Sequence, residues 1–113
     1  MSLSRTIYGN PPAKANSYRI GNGRFYKADS VNKYEADFIR QWVNQGEITG
    51  RFELSLIVYF RSDKSDLDNA LKVVLDLLQT VKAISNDRNC VKIYAEKRID
   101  QKEPRIEITI KEH

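Results

Sequence analysis

The chain has 113 residues, 41% hydrophobic and 30% charged, which suits a folded globular domain and excludes a disordered or fibrous chain. It holds one cysteine, Cys90, and one histidine, His113, which exclude an intrachain disulfide, a cysteine-based zinc site and a Ser-His-Asp or Cys-His arrangement inside the fold. Its balance of 19 basic against 15 acidic residues gives +4, and any hydrolytic chemistry must rest on carboxylates, lysine, tyrosine or a metal ion.

Residues 1–29 form a basic, loop-rich segment. Arg5, Lys14, Arg19, Arg24 and Lys27 face a single acid, Asp29, with Tyr8, Tyr18, Phe25 and Tyr26 interleaved. This mixture suits a phosphate backbone and exposed bases, and equally a solvated arm with anchoring aromatics. Residues 2–8 read as a short strand, ended by Gly9-Asn10-Pro11-Pro12, because two prolines remove two donors. Gly21-Asn22-Gly23 marks a small hairpin or loop over 19–27. The N-terminal residues lack the apolar stretch of a signal peptide, and no run approaches the ~18 apolar residues of a membrane helix. No membrane partner and a cytoplasmic location are therefore expected.

Ser30 is a suitable N-cap for a helix with Val31, Tyr34, Phe38, Ile39 and Trp42 at near-helical steps, stopping by Gly46. Phe52, Leu54, Leu56, Val58 and Phe60 alternate with a mixed face, the pattern of a strand. A second helix follows Ser65 as N-cap, with Leu67, Leu71, Val74, Leu78 and Val81 as core stripe, widened by Ala70, Val73 and Leu77. So broad a stripe suggests burial by a sheet and by a partner subunit. Residues 90–98 and 105–110 read as two further strands joined by a hairpin at 100–104. The order β-α-β-α-β-β gives an α+β fold, a small mixed sheet with two main helices, in one domain over 1–113 whose helix and sheet core is 30–113. Trp42 reads as a core or dimer residue, Cys90 as a buried small hydrophobe and His113 as a frayed tail.

The densest polar cluster is Ser65-Asp66-Leu67-Asp68-Asn69, with Lys72 and Asp76 further on. Asp68, Lys72 and Asp76 share a helix face. Two carboxylates two residues apart at a helix start can converge on one hard cation such as Mg2+. Asp87, in the turn before the strand at 90, is the candidate third ligand, provided that strand returns antiparallel beside 52–60. The plainer reading is that Asp66 and Asp68 cap the helix while Lys72 pairs with Asp68 and Asp76 in solvent, worth only ~0.3–0.5 kcal/mol per pair. An EF-hand is excluded, because Leu71 and Leu77 stand where its glycine and glutamate would be.

The pattern Asp66-Leu67-Asp68-Asn69, Lys72, Asp76, Leu77, then Asp87, together with Pro11-Pro12 followed by Asn16, Tyr18 and Arg19 and the closing strand 105–110, resembles the RusA-type Holliday-junction resolvases. The resemblance implies a homodimeric, Mg2+-dependent endonuclease, with Mn2+ a possible substitute, making paired nicks in four-way DNA junctions inside a bacterial or phage-infected cell. It makes Asp66, Asp68 and Asp87 the metal-binding catalytic carboxylates and Lys72 the catalytic lysine. Asn86 stands where the family often has a second aspartate, and the spacing from Pro12 to Asn16 is one residue longer than expected. Arg61, Lys64, Asn69 and Arg88 flank the acids as expected DNA contacts, Asn69 also orienting a carboxylate. Lys14, Arg19, Arg24 and Lys27 would form a second contact zone. The alternative is a branched-DNA-binding module without catalysis.

Overall fold

The computed structural model describes residues 1–12, 18–21, 24–27 and 29–113, with backbone alone for 18–21, 24–27, 29 and 30. In chain order the elements are β1 (Ser2–Tyr8), β2 (Tyr18–Gly21), β3 (Arg24–Lys27), α1 (Asp29–Gln41), β4 (Phe52–Phe60), α2 (Leu67–Thr80), β5 (Cys90–Ile99) and β6 (Arg105–Glu112), with a short 3-10 turn at Asp87–Asn89. The fold is α+β, as expected. A mixed four-stranded sheet has the order β1-β6-β4-β5, and β2 and β3 form the separate hairpin that the Gly-Asn-Gly signal predicts.

β4 takes a central place because it is the most apolar strand, and a central position removes the most surface from water. Phe52, Leu54, Leu56, Val58 and Phe60 are all buried. Leu3 and Ile7 from β1 and Ile106, Ile108 and Ile110 from β6 extend the same inner face. α1 adds Tyr34, Phe38 and Trp42 to that cluster, and α2 adds Ala70, Val74, Leu77 and Leu78. Phe38 stacks on Trp42 with ring centroids 6.1 Å apart, which places the tryptophan in the core.

The expected hairpin between the last two strands is not formed. β4 lies between them, paired parallel with β5 and antiparallel with β6. The connection therefore crosses the end of β4, where the Asp100 amide donates to Phe60 O at 2.8 Å. The Asp100 carboxylate accepts the Lys102 and Glu103 amides and pairs with Arg105 at 2.9 Å, which makes so short a crossing stable.

Several local expectations shift. α1 begins at Asp29, so Ser30 lies inside the helix instead of capping it. Ile39 is 46% exposed and off the core face. α2 is capped at Asp66 and not at Ser65. Its buried face is Ala70, Val74, Leu77 and Leu78, with Leu67 and Leu71 only half-buried, because the helix rolls to seat its small residue, Ala70, in the core. Cys90 is half-buried. His113 is tied down, its amide donating to Arg51 O at 3.0 Å.

The two sheet edges differ. Along β1, the side-chain amide of Gln41 both accepts from Tyr8 N and donates to Tyr8 O, each at 2.8 Å. Gln45 does the same for Ser4, at 3.3 and 3.0 Å. These two glutamines, at the end of α1 and four residues beyond it, stand in for a neighbouring strand and close that edge. β5 forms the other edge and leaves Val91, Ile93, Tyr94 and Ile99 exposed.

Candidate active site

β4 delivers the chain to a polar turn at residues 61–65, and α2 opens directly after it. Asp66 holds the N-cap position with extended backbone (φ −94°, ψ 129°), yet its side chain makes no capping hydrogen bond. An aspartate at this position normally spends its carboxylate on the first free amides of the helix. Here the carboxylate stays exposed and available. Asp68 lies in the first turn and Lys72 one turn later, both exposed. Among the described residues no ion pair joins Asp68, Lys72 and Asp76. The solvent-pairing account of this face is therefore not what the structure holds.

The mouth of α2 is fastened from two sides. Lys97 on β5 donates to Asp63 O at 2.9 Å and to Ser65 O at 2.7 Å, fixing the turn that presents Asp66. Asn69 donates to Pro12 O at 3.0 Å, and the Arg61 amide donates to Asn10 Oδ1 at 2.8 Å. The Gly9-Asn10-Pro11-Pro12 segment thus serves as a buttress for the first turn of α2. The sequence marked it only as the end of a strand. Lys97 went unnoticed because its partners are backbone carbonyls more than thirty residues away. A lysine in the alternating series Val91, Ile93, Ala95 and Ile99 was the available signal.

Asp87 is not brought to this mouth within one copy. Its amide donates to Gln79 Oε1 at 2.7 Å, which places it at the far end of α2. That helix has 14 residues, about 20 Å at 1.5 Å per residue. The cause is the parallel pairing of β5, whose first residue, Cys90, lies opposite Phe52 at the start of β4, while Asp66 follows the end of β4. Accordingly, among the described residues no three acidic, histidine or cysteine side chains gather around one cation.

Of the expected DNA contacts, Arg61, Lys64 and Asn69 lie at the Asp66 end, with Arg61 and Lys64 exposed and Asn69 half-buried. Arg88 is exposed beside Asp87. Lys14 lies outside the described residues, and the side chains of Arg19, Arg24 and Lys27 are outside them too.

A bare helix mouth of carboxylates and lysine, ringed by cations, is suited to a phosphodiester. The family comparison agrees: residues 9–111 match the family described as Endodeoxyribonuclease RusA. The chain belongs to the RusA endodeoxyribonuclease family. That match spans both Asp66-Asn69 and Asp87, and the family implies Holliday-junction resolvase activity. A search of curated proteins finds no match. Among the described residues no helix is long and apolar enough to cross a membrane.

Proposed function

We propose that this RusA-family protein is a divalent-metal-dependent endonuclease that nicks four-way DNA junctions, with Asp66, Asp68 and Asp87 as metal carboxylates. The observation that carries the reading is the uncommitted Asp66 carboxylate at the mouth of α2, with Asp68 and Lys72 exposed on the following turns. Carboxylate oxygens at this spacing are the donors a hard dication takes. Such an ion would lower the pKa of bound water and offset charge on the scissile phosphate. Lys72 neutralises the phosphate or assists the leaving oxygen. Arg61, Lys64, Asn69 and Arg88 hold the DNA backbone, and Lys14, Arg19, Arg24 and Lys27 extend the contact.

One site using all three aspartates needs two copies, since α2 separates Asp87 from the other two. The open β5 edge supports a homodimer. It carries exposed Val91, Ile93 and Ile99, whereas the β1 edge is already closed by glutamines. If two β5 strands meet antiparallel about a two-fold axis, the Asp87 end of one copy falls beside the Asp66 end of the other. Two such shared sites match the paired nicks a symmetric junction requires.

The test mixes copies of Asp68→Asn and Asp87→Asn, refolded together and offered a labelled four-way junction with Mg2+. Each variant alone is inactive. The mixture regains single nicks, because a mixed dimer keeps one complete site. Full activity of either variant alone overturns the metal assignment. A dead mixture that still forms mixed dimers overturns the shared site.

A further inference from the structure

β5 ends the sheet with its outer edge unpaired, so its free amides and carbonyls can take another strand. Its side chains decide which strand fits. Lys92, Tyr94, Glu96 and Arg98 stand opposite Glu53, Ser55, Ile57 and Tyr59 of β4, on the face away from the helices. The Tyr94 hydroxyl donates to Glu96 Oε1 at 2.6 Å, and Arg98 bonds the other oxygen of the same carboxylate, which holds Glu96 in one place. Lys92 is free to turn toward the edge, because its side chain is 74% exposed and lies 4.0 Å from Glu53, the far limit of an ion pair. On the helix side of the strand, Ile93 is exposed and Ala95 half-buried.

α2 continues this edge with apolar surface. It buries Ala70, Val74, Leu77 and Leu78, and Asn69, on one flank of that stripe, reaches Pro12 in the segment that follows β1. Leu71 and Leu75 lie on the opposite flank by helical spacing, and so toward β5, where both stay half-buried. A second copy joined at the β5 edge brings its own α2 beside this flank.

A two-fold axis limits how two β5 strands can pair. Residues directly opposite in an antiparallel pair share a face, so the axis passes through one residue of the strand. Near the middle of β5, four residues can hold it. On Ala95 it sets Lys92 against Arg98 of the partner subunit, twice. On Glu96 it sets two carboxylates together. On Ile93 it sets Lys92 against Tyr94 of the partner subunit and forms no ion pair. On Tyr94 it sets Lys92 of each copy against Glu96 of the partner subunit, and Ile93 against Ala95 of the partner subunit. That axis also carries Asn89 of the partner subunit opposite Ile99, whose neighbour Phe60 ends β4 before the turn to Asp66. Complementary charge and the shared aspartate site thus select the same register. We propose that the chain dimerises through β5 with Tyr94 on the two-fold axis, so that two four-stranded sheets run on as one. The proposal rests on the β5 homodimer of the nuclease reading, and it fixes which residues meet.

The test reverses charges in the full chain and follows the monomer–dimer equilibrium by sedimentation at low salt, where exposed charges are least screened. Lys92→Glu and Glu96→Lys each set like charges opposite one another twice, and each weakens the dimer about tenfold. The double variant Lys92→Glu/Glu96→Lys restores the wild-type constant to within about threefold. Cross-linking reads the axis directly. In a Cys90→Ala background, Tyr94→Cys joins to itself with a short bismaleimide. Two Lys92→Cys side chains, offset by four residues or about 13 Å, do not, whereas Lys92→Cys mixed with Glu96→Cys does. A wild-type dimer that is indifferent to both reversals and does not cross-link at position 94 overturns the register. A wild-type monomer that still nicks junctions overturns the β5 dimer and leaves the nuclease reading intact. A dimer that meets every expectation above but never nicks a junction supports the register and overturns the nuclease reading.

Discussion

Lys97→Met examines how β5 supports the helix mouth. Lys97 is 29% exposed on its side chain, and its ammonium donates to Asp63 O at 2.9 Å and Ser65 O at 2.7 Å. It also lies 3.3 Å from the Asp63 carboxylate, but that group is 91% exposed, and solvent screens such a pair to under about 1 kcal/mol. The two hydrogen bonds carry the effect, at about 1 kcal/mol each net of water. Methionine keeps the length of the stem beneath Phe60 and removes only the donors, so the loss is about 2 kcal/mol. An unfolding entropy of about 2.1 cal/mol/K per residue converts this to a drop of about 8 °C in melting temperature. Scanning calorimetry measures it. The nicking rate should fall as well, and kcat more than KM, because the freed turn no longer presents Asp66 in one place. Asp63→Asn is the control, with a shift under about 4 °C. A Lys97→Met protein that melts with wild type and nicks at the wild-type rate refutes the argument.

Lys72→Ala should slow junction nicking strongly while the melting temperature moves by less than about 3 °C, since the side chain is exposed and alanine favours the helix. A collapse in stability would make its role structural. Gln41→Ala removes two 2.8 Å hydrogen bonds to Tyr8, and should cost about 1–2 kcal/mol in urea melts. It also reopens the β1 edge, so light scattering at high concentration should show new association, and its absence would mean the glutamines do not protect that edge. Burial pushes the Cys90 thiol above its ordinary pKa, and hydrogen bonds with the backbone of Lys92 and Leu54 only partly oppose this. The pH profile of its alkylation by iodoacetamide should therefore have its midpoint above that of free cysteine. A midpoint at or below the free value refutes the desolvation argument.

Local order was legible in the residues because it depends on near neighbours. Strict alternation from Phe52 to Phe60 announced β4, helical spacing announced α1 and α2, and Gly-Asn-Gly announced the β2–β3 hairpin. The cluster Asp66, Asp68 and Lys72 was visible for the same reason, since the first two turns of one helix place all three. The position of Asp87 was not. It depends on β5 joining β4 in parallel with β6 on the other side. That order is settled by which strand buries the most apolar surface, a comparison among segments far apart in the chain. The same holds for the Lys97 clamp on the Asp63–Ser65 carbonyls. Periodicity and motif spacing decided which elements form and set Asp66 and Asp68 together at the start of α2. Only long-range packing decided that α2 keeps Asp87 from Asp66, because strand order is settled by burial among segments far apart in the chain.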